Sequence, residues 1–103
     1  MIVRTWSARA TEAGAADYQN YFGKTLLPEL RALAGFQGAV LLTRPVGELV
    51  ELTAHTMWQS LAAIEDFAGE DITAAKVEPE ALAMLADSDS TVVHRTAALA
   101  ELP

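Results

Sequence analysis

The chain reads as an α+β domain of element order β-α-β-β-α-β, the ferredoxin-like arrangement in which a four-stranded antiparallel sheet carries its helices on one face. Three observations predict it. Stretches with period-two alternation stand at the start, middle and end of the sequence, and stretches with apolar residues every three or four positions lie between them. Gly or Pro marks most of the junctions. With 103 residues, 51% of them hydrophobic, there is room for a single domain, residues 1–103, built on one modest core.

In the first stretch Ile2, Arg4, Trp6 and Ala8 alternate with Val3, Thr5 and Ser7, so residues 2–9 are predicted to be a strand. Thr11 or Glu12 opens a helix on which Tyr18, Phe22, Leu26, Leu30 and Leu33 form an apolar stripe. Pro28 interrupts it and, lacking an N–H, is expected to kink the helix or restart it, with Gly35 as the stop. Residues 36–44, FQGAVLLTR, predict a strand that is apolar on both faces, Ala39 and Leu41 on one and Val40 and Leu42 on the other. Pro45-Val46-Gly47 turns the chain into a long strand over 48–58. Ser60 caps a helix over 60–68, with Leu61, Ala62, Ile64 and Phe67 at helical spacing. Beyond a break at 69–71, the sequence predicts a turn of helix at 72–77, a last helix at 79–86, a polar loop at 87–90 and a closing strand at 91–97. The core then spans 2–97, with 98–103 as a tail.

Composition excludes several function classes. Fourteen acidic against seven basic residues give a net charge of −7, the wrong sign for a phosphate-binding surface, so no nucleic acid is expected as partner. The apolar runs are too short to cross a bilayer and the N-terminus enters a strand pattern directly, which predicts a cytoplasmic protein with no membrane association. Without cysteine there are no disulfides, thiolate metal sites or thiol nucleophiles. Neither G-x-G-x-x-G, a Walker loop, H-E-x-x-H nor G-x-S-x-G occurs. The cluster Glu65, Asp66, Glu70 and Asp71 lacks the pattern of a calcium loop or octahedral site and reads as solvated surface, so no metal is expected.

One face of the predicted sheet has no helix to cover it, yet Val40 and Leu42 make that face apolar. A second copy of the chain is the simplest cover, so a homodimer is expected.

Several segments together resemble the antibiotic biosynthesis monooxygenase-like group of dimeric α/β-barrel proteins: IVRTW at 2–6, DYQNYF at 17–22, PELRALAGFQGAVLLTR at 28–44, TMWQSLAAIEDFAGED at 56–71 and DSTVVHRT at 89–96. The W-x-S-x-x-A-I pattern of Trp58, Ser60, Ala63 and Ile64, followed by FAGED, is the most specific part, since amphipathicity alone does not demand it. The resemblance implies a dimeric α/β barrel with a pocket between sheet and helices. It also implies oxidation of a small electron-rich aromatic or quinol-like compound by molecular oxygen, with no cofactor. The haem-degrading branch of this fold uses a helix histidine; residues 60–90 contain none, which disfavours haem cleavage.

Such chemistry asks for a base, hydrogen-bond donors and aromatic walls. His94 is the candidate base, or else a structural histidine of the barrel. Arg4 is the candidate anion anchor beside Trp6, or else the neutralising partner of Glu51 or another sheet carboxylate. Tyr18 and Tyr21, with Phe22, line a pocket wall or pack the core. Trp58 walls the pocket or plugs the core beneath the following helix. Alternation places His55 with Glu51, Thr53 and Met57, on the opposite face from Trp58. The alternative to an oxygenase is a non-catalytic dimer that binds a small hydrophobic molecule or serves assembly alone.

Overall fold

The computed structural model describes residues 1–103. In order the elements are β1 (Ile2–Ala10), α1 (Glu12–Tyr21), a π-helical turn (Phe22–Leu26), α2 (Leu27–Arg31), β2 (Phe36–Val46), β3 (Leu49–Trp58), α3 (Leu61–Ala68), α4 (Pro79–Leu82), β4 (Asp87–Ser88) and β5 (Val93–Thr96). All strand pairings are antiparallel; β3 lies between β2 and β1, and both β4 and β5 pair with the outer side of β1.

Helix α1 starts where Thr11 accepts a hydrogen bond from the Gly14 N–H at 3.1 Å. Pro28 restarts the helix as a second short one, α2. Proline has no N–H to give to the preceding turn, and the chain widens into the π turn before Pro28 takes a place in the first turn of α2, where no such bond is needed. Gly35 then stops the helical region with φ +87°, and a Cβ there would meet the Ala63 Cβ at 2.5 Å, so the close approach of α3 also demands glycine. Its carbonyl accepts from Gln59 N at 2.8 Å, tying the end of α2 to the start of α3.

The C-terminal third departs from the sequence expectation. Residues 72–77 do not form a turn of helix; they run as an irregular segment whose backbone pairs with 90–92, through Ala75 N to Ser90 O and Val92 N to Thr73 O, both 2.9 Å. The last helix ends at Leu82 instead of 86, because the Ala86 N–H is taken by the Arg9 carbonyl of β1 at 2.8 Å. The fourth strand comes in two pieces. Thr5 opposes Val93 and Ala8 opposes Ser88, so two extra residues bulge out between β5 and β4. Residues 87–88, expected in a loop, are thus strand, and Thr91 and Val92 leave the sheet edge to meet the 72–77 segment.

The face of β1 and β3 that carries Trp6, Ala8, Leu52 and Ala54 packs on α1, Phe22 and α4 as the larger core. Trp58, Leu30 and Ile64 form a smaller core under α3. The opposite face bears no helix: Val40 (42% exposed), Leu42 (51%) and Val93 (50%) lie open on it. Across it run two side-chain bonds, Thr5 to His55 at 2.8 Å and Ser7 to Thr53 at 2.9 Å. No helix is long and apolar enough to cross a membrane.

Candidate active site

Period-two alternation in β1 turns Arg4 and Trp6 toward the helices, and the same period in β3 does so for Ala54 and Thr56. Between these four and the helices lies a cavity. Tyr18 reaches it from α1, Phe22 and Leu26 from the π turn, Phe67 from the end of α3, and Lys76 from the irregular segment. Nine of its twelve lining residues are hydrophobic, and the other three are Arg4, Thr56 and Lys76. Every formal charge on the wall is therefore positive, in a protein of net charge −7. The cavity volume is about 50 Å³. That is room for a water or two, so a ring system enters only if part of the wall moves.

The aromatic wall is continuous. Tyr18 lies 5.8 Å from Trp6 and 6.2 Å from Phe22, ring centre to ring centre, all tilted to one another. The Trp6 indole N–H donates to the Asp89 carbonyl at 2.9 Å, which fixes the ring and pins the bulge beside it. Arg9 closes the outside of that bulge by pairing with both Asp87 and Asp89.

Arg4 is only 4% exposed, and its bonds are all to this region. Nη1 donates to the Ile72 carbonyl at 2.5 Å and Nη2 to the Ala74 carbonyl at 3.0 Å, so the guanidinium holds the irregular segment beside the cavity. Nη1 also lies 3.0 Å from His94 Nε2. A guanidinium only donates, so Nε2 is the acceptor and the His94 hydrogen sits on Nδ1. Burial pushes the His94 pKa down, and the Arg4 charge pushes it down further. Burial also lowers the Arg4 pKa, though a guanidinium stays charged. The Tyr18 hydroxyl is held well above its ordinary range, chiefly by burial and then by Tyr21, and so keeps its proton.

Of the residues singled out from sequence, Arg4, Trp6, Tyr18 and Phe22 are brought together on this cavity. Tyr21 lines an adjoining recess with Glu29 and Glu78 and not the cavity itself; burial raises its pKa, with Glu29, Glu78 and Glu80 adding to the effect. Trp58 does not line the cavity. It is fully buried in the smaller core, donates to Thr56 Oγ1 at 2.9 Å and packs edge-on against Phe36, so it plugs the sheet beneath α3. His94 lies behind Arg4, not on the cavity wall, and the lone pair a base needs is already occupied. Glu51 is not the partner of Arg4; it pairs with Arg44 at 2.7 Å. His55 faces the uncovered side, as alternation requires.

Eight of the twelve wall residues were not among the sequence candidates, and three of these bear on the chemistry of the site. Thr56 follows from the same alternation that gives Ala54 and Trp58. Phe67 was legible only as a helix stripe residue. Lys76 stands in the stretch read as a turn of helix, 72–77, where no local pattern marks it as a wall residue.

No protein-family model matches the sequence, and a search of curated proteins finds no match. Solved structures do match. A monooxygenase from the ActVA-Orf6 gene of Streptomyces coelicolor, solved in complex with nanaomycin D, aligns at a TM-score of 0.66 and 18% identity, covering 99% of this chain and 91% of that one. A Bacillus cereus protein assigned to the antibiotic biosynthesis monooxygenases aligns at 0.62 and 12% identity, over 99% and 95%. SnoaB, a cofactor-independent oxygenase from Streptomyces nogalater, aligns at 0.59 and 18% identity, over 99% and 97%. At these identities the likeness is one of fold: the chain has the ferredoxin-like α+β fold of the antibiotic biosynthesis monooxygenases.

Proposed function

We propose that this protein is a cofactor-independent monooxygenase that oxidises a small, electron-rich phenolic or quinol-like compound with molecular oxygen, and that it works as a cytoplasmic homodimer. The observation that carries this reading is the cavity: aromatic on its walls, cationic at Arg4, and free of carboxylates. The fold shared with SnoaB and the ActVA-Orf6 monooxygenase supports it.

In this reading the substrate ring lies against Trp6, Tyr18 and Phe22 with its hydroxyl toward Arg4. The positive charge stabilises the anion, so the hydroxyl loses its proton to solvent and the phenolate becomes the reductant. One electron passes to oxygen, the resulting radical pair joins as a C–O bond at a ring carbon bearing hydrogen, and the O–O bond then breaks. The distal oxygen leaves as water with the ring hydrogen and the first-lost proton. The phenol and oxygen thus give a quinone and water; the phenol is oxidised by four electrons and both oxygen atoms are reduced. Tyr18, kept protonated by burial, supplies a hydrogen bond to the departing oxygen. His94 acts through Arg4, orienting the guanidinium, and is a positioning residue here instead of the base.

The uncovered sheet face with Val40, Leu42 and Val93 supports the dimer, since a second sheet laid on it would bury these side chains.

Oxygen uptake by metal-stripped protein against a panel of anthrones, naphthohydroquinones and simpler phenols tests the reading. Uptake above a heat-inactivated control, with one quinone formed per oxygen consumed, is expected. A panel without uptake, whose members nevertheless quench tryptophan fluorescence saturably, would instead favour a non-catalytic binding dimer.

A further inference from the structure

We propose that Lys76 makes this cavity selective for aromatic compounds bearing a second acidic group, a carboxylate or its equivalent, directed toward the mouth when the oxidisable hydroxyl faces Arg4. The inference rests on the reading of the cavity as an oxygenase site and adds the substrate class to it.

Two cations share one ring. The Phe67 ring centre is 5.9 Å from Arg4 Cζ and 5.0 Å from Lys76 Nζ, so a ligand in the cavity that Phe67 lines lies close to two positive charges. They differ in what they already hold. Arg4 is committed to two carbonyls and His94. Lys76 forms no ion pair, whereas the ion pairs of this chain engage Arg9 and Arg44. Nor is there a carboxylate on the cavity side to neutralise it; the nearest acidic wall, Glu29 and Glu78, belongs to the adjoining recess, with Lys76, Phe67 and Tyr18 common to both.

That arrangement has a physical consequence. The field around a protein of net charge −7 repels anions, so one is admitted only where the local charge is reversed. Apolar walls raise the strength of each charge interaction inside the cavity. A compound with one acidic group answers Arg4 and leaves Lys76 unused, and one with two answers both. Glu29 and Glu78 turn the second anion away from the adjoining recess and so fix which way round the ring lies.

The test uses tryptophan quenching by two matched probes, 6-hydroxy-2-naphthoate and its methyl ester, which share the ring and a hydroxyl at the end opposite the carboxyl group. Wild-type protein should bind the acid about fivefold more tightly at low salt, an advantage that shrinks as salt is added. In Lys76→Met the acid-to-ester ratio should fall to about one, and Lys76→Arg should restore it. Equal binding of acid and ester by wild type, or an unchanged ratio in Lys76→Met, would overturn the assignment while leaving the oxygenase reading intact. Absence of saturable quenching by either probe would overturn both, because the cavity would then not be a ligand site.

Discussion

Replacing Arg4 by Met tests the centre of the site, because it removes the charge while keeping a side chain of similar reach. Two carbonyls lose their donors, Ile72 O at 2.5 Å and Ala74 O at 3.0 Å. Each orphaned buried acceptor costs about 1–3 kcal/mol. Two effects offset this: the irregular segment is half-buried, so water can reach its carbonyls, and the desolvation cost of a buried guanidinium disappears. The balance is a loss of about 2 kcal/mol, read as a lower urea midpoint at unchanged slope. A second readout is more specific. Burial depresses the His94 pKa first and the Arg4 charge second, so Arg4→Met should raise it toward, but not past, its ordinary 6.5. The folded state holds His94 below the unfolded value, so the unfolded chain takes up the proton first on acidification. Its contribution to stability is complete above about pH 6.5 and is lost as pH falls through the depressed folded value. Arg4→Met should narrow that window. A histidine titration followed by NMR that is identical in wild type and Arg4→Met would refute the Arg4 to His94 contact and, with it, the positioning role of His94.

Two further substitutions separate the remaining parts of the account. Leu42→Glu puts a carboxylate in the middle of the uncovered sheet face; sedimentation at micromolar concentration should show a dimer for the wild type and a monomer for the variant, and a monomeric wild type would contradict the two-sheet assembly. Trp58→Phe removes the bond to Thr56 and leaves a gap under α3, so it should cost about 1–3 kcal/mol in chemical denaturation. The same variant should change probe affinity by less than about twofold, and a tenfold loss would restore Trp58 to the binding wall.

The parts of the fold legible in the sequence are those in which one physical rule acts alone. In β1 and β3 one face is buried and the other is not, so period two places Arg4, Trp6, Thr56 and Trp58 on the correct side. Ser60 heads α3 because it accepts from Ala63 N at 3.2 Å, as a capping residue should. What escaped the sequence depends on chain segments far apart. The fourth strand splits where the 72–77 segment pairs with residues 90–92 while Trp6 and Ser7 keep Asp89 tied to β1, and no local propensity encodes that competition. Similarly, the π turn answers Pro28 together with the need to bring both Phe22 and Leu26 onto one cavity. The sequence identified His94 as a chemically useful residue type. Whether its lone pair is free depends on Arg4, 90 positions away, and only the folded chain decides it.

The central claim is that the cavity binds its phenolic ligand as the anion. The direct measurement is a spectrophotometric titration of 2-naphthol bound to the protein, compared with the free compound in the same buffer. Burial alone would raise the apparent pKa of the bound hydroxyl, and a facing guanidinium lowers it by about 1–3 units. The account predicts that the Arg4 charge prevails and that the bound naphthol ionises at least about one unit below the free compound, an effect lost in Arg4→Met. Ionisation at or above the free value would contradict it, and would make Arg4 a brace for the irregular segment with no part in activating a substrate.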